Sequence, residues 1–185
     1  MRPIRSCAAV ARRLSREKSN NSDVEIVKFL ASVTLPLYAL DQATKSWIVH
    51  HFELGERRTV IADFFYLVYL GNTGAAFSVL TGNNTFFVVL SAVALAALIY
   101  FFRRGAFKDR PSRWAVALLM AGILGNLTDR LARGHVVDFL LFDLHVRYAN
   151  PWPAFNVADS CICVAAGIMV VSAWFEERKA KAGSE

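Results

Sequence analysis

The chain has 185 residues, of which 55% are hydrophobic and only 19% are charged. This length suits one domain, and the composition excludes a disordered chain, a collagen and a coiled coil, each of which needs a polar or repetitive sequence. The cysteine count of 3 is odd, which argues against a disulfide-stapled secreted module. The net charge of +6 suits either nucleic acid or anionic lipid as a partner, so the positions of the charges must decide.

The N-terminal stretch, residues 1–24, is basic and rich in Ser and Asn, with little apolar periodicity. It lacks the apolar run and the small-residue cleavage site of a secretory signal. We therefore expect a flexible cytoplasmic tail here, followed by a membrane domain over residues 25–177 and a short cytoplasmic tail over residues 178–185.

Four apolar stretches are candidates for membrane spans, because a spanning helix needs roughly 20 mostly apolar residues. They cover residues 27–48, 84–102, 113–131 and 156–175. The predicted fold is an all-α membrane protein with four transmembrane helices.

Basic residues indicate the orientation of these spans. They cluster before the first span, between the second and third spans, and after the fourth. The positive-inside bias then places both termini and the middle loop in the cytoplasm and the two longer connections outside. The basic charge is thereby explained without nucleic acid, and membrane lipids are the expected surroundings.

The outer connection after the first span has an extended character. Residues 57–77 are rich in Val, Ile, Phe and Tyr, which predicts a small periplasmic β-strand region between helices 1 and 2. In the other outer connection, Trp152 is expected to anchor the chain at the membrane interface.

Polar side chains gather near the outer ends of three spans, where ionisable residues are costly and are functional candidates by default. Asp41 and Lys45 are four residues apart on one helix, so they share a face and can pair. Adjacent side chains on a helix point apart, so Asp129 and Arg130 each need a partner elsewhere. The remaining polar residues at this level are Asn126, Asp138, Asn156 and Asp159.

Carboxylate chemistry is the reaction class that these residues favour. The sequence contains neither an H-E-x-x-H nor a G-x-S-x-G motif, so neither a zinc peptidase nor a serine hydrolase is expected, and no cofactor is predicted. Two neighbouring aspartates share one proton, so that one activates water while the other polarises a carbonyl group. Asp129, Asp138 and Asp159 are all candidates, and their spacing does not choose between them.

Five short blocks, taken in order, resemble the lipoprotein signal peptidases, also called signal peptidase II. The blocks are DQATK at residues 41–45, NTGAAF at 72–77, GNLTDR at 125–130, VVDF at 136–139 and FNVAD at 155–159. One departure is that Ala121 and Gly122 stand where the family often has a pair of glycines.

This resemblance implies an aspartic endopeptidase of the bacterial inner membrane, active near the periplasmic face. The small size of such a site favours a monomer. Its substrate would be a diacylglyceryl-modified prolipoprotein, cut before the modified cysteine. The resemblance assigns the catalytic pair to Asp138 and Asp159. The other polar residues become substrate-binding or site-supporting groups, namely Asn72, Asn126, Arg130, Asn156, Asp41, Lys45 and Asp129.

Two other functions remain as alternatives. A proton- or ion-coupled carrier would use Asp41, Asp129 and Asp159 as a relay, although it needs polar groups across the whole membrane depth. A non-catalytic membrane adaptor would explain the topology but would leave the clustered carboxylates without a purpose.

Overall fold

The computed structural model describes residues 7–74, 82–107, 109–145 and 152–182. The last residues of the NTGAAF block, Ala75 to Phe77, lie outside these ranges. Within the described ranges the chain forms four helices and three strands. Their order is α1 Cys7–His51, β1 Arg57–Ile61, β2 Phe65–Asn72, α2 Asn84–Arg103, α3 Arg110–Arg133, β3 Val136–Phe142 and α4 Val157–Ala182.

Three of the described helices are long and apolar enough to cross a membrane, namely Asn84–Arg103, Arg110–Arg133 and Val157–Lys179. Helix α2 is the most apolar, with a mean hydropathy of 2.5. Helix α3 lies at the centre and contacts α1, α2 and α4. The first predicted span lies within α1, which is not among the three because Lys28, Asp41 and Lys45 interrupt its apolar stretch.

Helix α1 begins much earlier than predicted. The sequence predicts a flexible tail over residues 1–24, whereas from Cys7 onward this stretch is helical and continues the helix of the first predicted span. Its sequence contains neither glycine nor proline before Pro36, and it is rich in Arg, Leu, Lys and Glu, which are good helix formers. Helix α4 likewise continues to Ala182, through the start of the predicted C-terminal tail.

The three strands form one antiparallel sheet in the order β1-β2-β3. The strand pair predicted between the first two spans is present as β1 and β2, with Arg57 opposite Val68. Strand β3 is an addition, because the sequence predicts only a loop there. It pairs with β2 so that Phe65 lies opposite Phe142 and Asn72 lies opposite Val136. This pairing joins segments far apart in the sequence, which local patterns do not reveal.

Backbone hydrogen bonds connect β3 to the segment that leads into α4. Phe139 and Leu140 donate from their backbone N–H groups to the Phe155 carbonyl oxygen, at 3.1 and 2.9 Å, and Phe155 donates to the Leu140 carbonyl oxygen at 3.0 Å. On the other side, Ile48 and Phe52 at the end of α1 pack against Val137 and Phe139. Strand β3 is therefore held between α1 and the start of α4.

Candidate active site

The first turn of α4 carries one of the two aspartates assigned to the catalytic pair. Asn156 precedes the helix, and its Oδ1 accepts a hydrogen bond from the Asp159 backbone N–H at 2.9 Å. In return, the Asn156 backbone N–H donates to Asp159 Oδ2 at 3.2 Å. This reciprocal arrangement is a capping box, which satisfies helix N-terminal donors and fixes both side chains. The FNVAD block therefore specifies the local geometry of Asp159.

Asp138 lies on β3, beside this helix start. It is 3% exposed, and its carboxylate accepts hydrogen bonds from Asn156 Nδ2 at 2.8 Å and from Asn72 Nδ2 at 2.9 Å. Burial and the neighbouring charge of Asp159 raise the pKa of Asp138 to about 7. A carboxyl group in this state can exchange a proton near neutral pH.

Lys45 is the centre of a buried ion cluster behind the two aspartates. Its side chain is fully buried, and Nζ lies 2.9 Å from Asp41 Oδ2 and 3.0 Å from Asp129 Oδ2. Arg133 forms a second ion pair with Asp129. Two cations thus face two anions, which limits the cost of burying these charges. The Asp41–Lys45 contact is the one that the spacing within α1 predicts.

Asp41 also connects α1 to the start of α4. Its Oδ1 accepts a hydrogen bond from the Ala158 backbone N–H at 2.9 Å. Helix α3 approaches the same carboxylate at Gly125, where an added Cβ would lie 2.5 Å from Asp41 Oδ2. Only glycine allows this approach, which gives the first residue of the GNLTDR block a packing role.

Asn126 joins the ion cluster to the catalytic candidates. Its Oδ1 accepts hydrogen bonds from Lys45 Nζ at 2.9 Å and from Asn156 Nδ2 at 3.3 Å. Its Nδ2 donates to Asp159 Oδ1 at 2.7 Å. The orientation of the Asn126 amide is therefore set by a cation on one side and a carboxylate on the other.

Arg130 points away from the ion cluster, as its position next to Asp129 predicts. It is 9% exposed, and its Nη2 donates to the Gly74 carbonyl oxygen at 3.0 Å. Its guanidinium carbon lies 5.0 Å from the centroid of the Phe87 ring. The Gly74 backbone N–H in turn donates to Asn72 Oδ1 at 2.9 Å. Arg130 thus supports the segment that follows β2 and carries Asn72.

These side chains surround one cavity of about 630 Å³. Its polar wall contains Asn72, Asn126, Arg130, Asp138 and Asp159. Its other wall is largely apolar and contains Trp152, Phe155, Ile162 and Val164. Trp152, predicted as an interfacial anchor, therefore forms part of the cavity wall. An elongated substrate with one polar and one apolar part would suit such a lining.

Two contributors to this network are absent from the residues predicted by sequence. Gln42 donates from Nε2 to the Gly125 carbonyl oxygen and to Asp41 Oδ2, both at 3.1 Å. Arg133 contacts Asp129 from one helical turn away, so the same four-residue spacing that pairs Asp41 with Lys45 would have found it. Gln42 stands inside the DQATK block, but no periodicity marks it as a bridging residue.

Comparison with known proteins identifies the family. The family model of signal peptidase (SPase) II matches residues 33–175. The lipoprotein signal peptidase of Syntrophotalea carbinolica is 41% identical over 150 residues, which cover 80% of this chain and 91% of that protein. The one from Geobacter sulfurreducens is also 41% identical, over 151 residues that cover 80% of this chain and 92% of the relative.

Solved structures agree with this result. A bacterial membrane enzyme determined by the in meso method at 2.3 Å resolution superposes with a TM-score of 0.75 and 30% identity, and covers 82% of this chain and 90% of that structure. A second such enzyme, at 1.9 Å resolution, superposes with a TM-score of 0.70 and 32% identity. This match covers 79% of this chain and 92% of that structure. The sequence match and the shared fold together place this chain in the signal peptidase II family.

Proposed function

We propose that this chain is an aspartic endopeptidase that removes the signal peptide from prolipoproteins and cuts before the diacylglyceryl-modified cysteine. Asp138 and Asp159 are its catalytic pair. The observation that carries the assignment is that both carboxylates line one cavity and share Asn156 as a hydrogen-bonding partner. The substrate class is supported by the relatives, which are lipoprotein signal peptidases.

The two aspartates take different roles in this proposal. Asp138 holds the shared proton near neutral pH, because burial and the Asp159 charge raise its pKa to about 7. Asp159 is the ionised partner, because its charge is one of the causes that raise the pKa of Asp138, and Asn126 Nδ2 and the Asn156 backbone N–H both donate to its carboxylate. Donors of this kind favour the charged form of a carboxyl group.

Hydrolysis then needs neither a metal nor a covalent intermediate. Asp159 accepts a proton from a water molecule while the water oxygen attacks the scissile carbonyl carbon, and Asp138 transfers its proton to the carbonyl oxygen. As the tetrahedral intermediate collapses, the C–N bond breaks and the proton held by Asp159 passes to the leaving amine of the cysteine. A hydroxyl proton of the intermediate returns to Asp138, which restores the starting state.

The other residues of the cavity bind substrate or hold the pair in place. Asn72 fixes one oxygen of Asp138, and Arg130 offers its buried Nε, which has no partner among the described residues, to a substrate carbonyl. Asn126 and Asn156 align both carboxylates. Behind them, Asp41, Lys45 and Asp129 form the fixed support on which this alignment depends.

We further propose that α1 is a fourth membrane span. Two of the three charges that interrupt its apolar stretch, Asp41 and Lys45, are at most 1% exposed and paired inside the protein, and the third, Lys28, is exposed near the end proposed to be cytoplasmic. Most of the exposed residues in this stretch are apolar or aromatic, such as Leu35, Leu40 and Trp47. Residues 27–48 would extend over about 33 Å as a helix, which matches the roughly 30 Å of hydrocarbon.

The topology proposed from the basic residues completes the assignment. Both termini lie in the cytoplasm, and the sheet with its cavity lies near the periplasmic face of the bacterial inner membrane. All the described residues that line the cavity belong to one chain, which supports an active monomer surrounded by membrane lipids. No nucleic acid takes part.

Variants of the two aspartates test the assignment. Purified Asp138→Asn and Asp159→Asn proteins should bind a diacylglyceryl-modified precursor but cut it at least about a thousandfold more slowly, because acid and base act as one unit. Asp63→Asn is the matched control, since Asp63 lies in the turn between β1 and β2 and Asn tolerates its positive φ of 55°. Wild-type turnover by either dyad variant would overturn the assignment.

A further inference from the structure

A second cavity lies at the other end of the membrane helices. It has a volume of about 520 Å³ and is formed where α1 contacts the first turns of α3. The residues that line it are Glu25, Ile26, Phe29, Arg110, Arg113 and Trp114. Arg113 and Asn126 are about 20 Å apart along α3, at 1.5 Å per residue, so this cavity is remote from the catalytic pair. The proposed reaction makes no use of it.

The charges of this cavity are unbalanced. Neither Arg110 nor Arg113 forms a salt bridge within the part of the chain that the structure describes, and the Nε of Arg113 is buried without a hydrogen-bond partner there. Glu25 is the acid of the lining, but it pairs with Lys28 at 3.0 Å. Two guanidinium groups therefore face the cavity while its carboxylate is already engaged.

The position of the two arginines on α3 increases this imbalance. They occupy the first turns of the helix, which contain no acidic residue. Cations are disfavoured there, because the N-terminal end of a helix is the positive end of its dipole. The preceding Asp109 is occupied as a cap, with its oxygens accepting from the Ser112 backbone N–H at 2.9 Å and from the Ser112 hydroxyl at 2.7 Å. An anion in the cavity would relieve the repulsion.

The remaining lining indicates what kind of anion fits. Phe29 and Trp114 pack edge to face, with ring centroids 5.1 Å apart, and Trp114 is 46% exposed. Trp side chains prefer the boundary between headgroups and hydrocarbon, where one end of the ring is wet and the other is apolar. The guanidinium group of an arginine binds phosphate through two parallel hydrogen bonds. A phosphate-bearing group with an attached apolar part would satisfy both walls.

We infer that this cavity binds the headgroup of an anionic phospholipid, with the phosphate on Arg110 and Arg113 and the glycerol region against Phe29 and Trp114. Under the topology proposed above, the lipid belongs to the cytoplasmic leaflet, whose surface is negatively charged. Lipid bound here would hold α1 against α3 at the end opposite the catalytic site.

Thermal unfolding of the full chain in detergent micelles tests the inference. Adding phosphatidylglycerol should raise the unfolding temperature of the wild type by about 2–4 °C, whereas phosphatidylcholine should not. The double variant Arg110→Gln/Arg113→Gln should lose the shift, and each single variant should lose about half of it. Arg103→Gln/Arg104→Gln, which removes two charges from the end of α2, should keep it.

Two results would overturn the inference. One is an equal shift in the wild type and in Arg110→Gln/Arg113→Gln, and the other is an equal shift of the wild type by phosphatidylcholine or by inorganic phosphate. No precursor is present in these measurements, so their outcome is separate from that of the proposed peptidase activity. Cleavage of precursor by the double variant in detergent should match the wild type, which checks that it is folded.

Discussion

Asn126 and Asn156 each contact more than one ionisable side chain, and this shared bonding aligns the two proposed catalytic aspartates. Asn156 donates to Asp138 and caps the helix that carries Asp159. Asn126 accepts from Lys45 and donates to Asp159. Because a buried amide with several partners has one favourable orientation, these residues fix the carboxylates before substrate arrives.

The pKa of Asp138 predicts how the reaction depends on pH. Above about pH 7 this carboxyl group loses its proton, so the pair becomes doubly ionised and can no longer protonate the carbonyl oxygen. The cleavage rate should therefore fall about tenfold per pH unit on the alkaline side. Initial rates on a diacylglyceryl-modified precursor between pH 5 and pH 9, at constant ionic strength, measure this alkaline decline. A flat rate up to pH 9 would contradict the proposed role.

Lys45 should be far more important for stability than an exposed lysine on the same helix. Lys45→Met leaves Asp41 and Asp129 buried with too little positive charge and should lower the free energy of unfolding by about 3–5 kcal/mol. The control is Lys28→Met, whose pair with Glu25 is 68% and 66% exposed and should contribute at most about 1 kcal/mol. Denaturant unfolding in mixed micelles measures both changes, and equal losses would contradict the role of Lys45.

The sequence predicts some contacts of this residue network but not those that join different helices. The spacing of Asp41 and Lys45 predicts their contact, because neighbours on one helix face are set by the helical repeat. The contacts of Asn126 with Lys45 and Asp159 join three helices, and no spacing within one helix specifies them. The choice of Asp138 over Asp129 likewise came from family resemblance rather than from spacing.

At the scale of the elements, close contact between α3 and α4 brings together the residues of the proposed catalytic site. The two helices approach closely at Gly122, since an added Cβ would lie 2.5 Å from the Ala158 carbonyl oxygen. Small residues allow such contacts between membrane helices. This contact explains why position 122 is a glycine. The neighbouring Ala121 replaces the other glycine of the pair that the family often has.

The variant Gly122→Ala tests this contact. The added methyl group meets backbone, which cannot rotate away, so the change should cost about 1–3 kcal/mol of stability and displace the start of α4. Gly167→Ala on α4 is the control, because its Cβ would meet nothing within 4 Å. The control should be neutral or stabilise the helix by up to about 1 kcal/mol. Equal unfolding free energies for the two variants would contradict the packing role.

Strand β3 shows which element local patterns could not supply. Strand β3 is a short and almost wholly apolar segment, and Val136 to Phe139 are all buried, so its residues do not alternate between a buried and an exposed face. A short apolar run of this kind fits several structures equally well. Its partner β2 lies more than sixty residues earlier, with Asn72 opposite Val136. The sheet rather than a loop therefore carries Asp138.

At the scale of the whole molecule, the carboxylates that a carrier would use as a relay lie together at one end of the helices rather than along their length. A carrier relay through Asp41, Asp129 and Asp159 would need these groups at different depths, but Asp41 and Asp129 both contact Lys45, and Asp159 reaches it through Asn126. A cavity at this level suits a peptidase whose substrate keeps its acyl chains in the membrane. A non-catalytic adaptor would not explain why the carboxylates of Asp138 and Asp159 are buried and hydrogen-bonded beside one cavity.

Labelling of single cysteines tests the proposed topology. In a chain whose native cysteines are replaced, Ala62→Cys in the exposed turn between β1 and β2 should react with a membrane-impermeant maleimide in intact spheroplasts. Arg104→Cys, at the end of α2, should react only after the membrane is permeabilised, because the proposal places it in the cytoplasm. The reverse pattern would contradict the orientation.

The proposed activity is tested most directly by mass spectrometry of the products that the purified wild-type chain forms from a diacylglyceryl-modified precursor. We expect two products, a free signal peptide and a lipoprotein whose new N-terminus is the modified cysteine. We also expect Asp138→Asn and Asp159→Asn to leave the precursor intact. Cleavage at another bond, or the same products from either variant, would contradict the proposed activity.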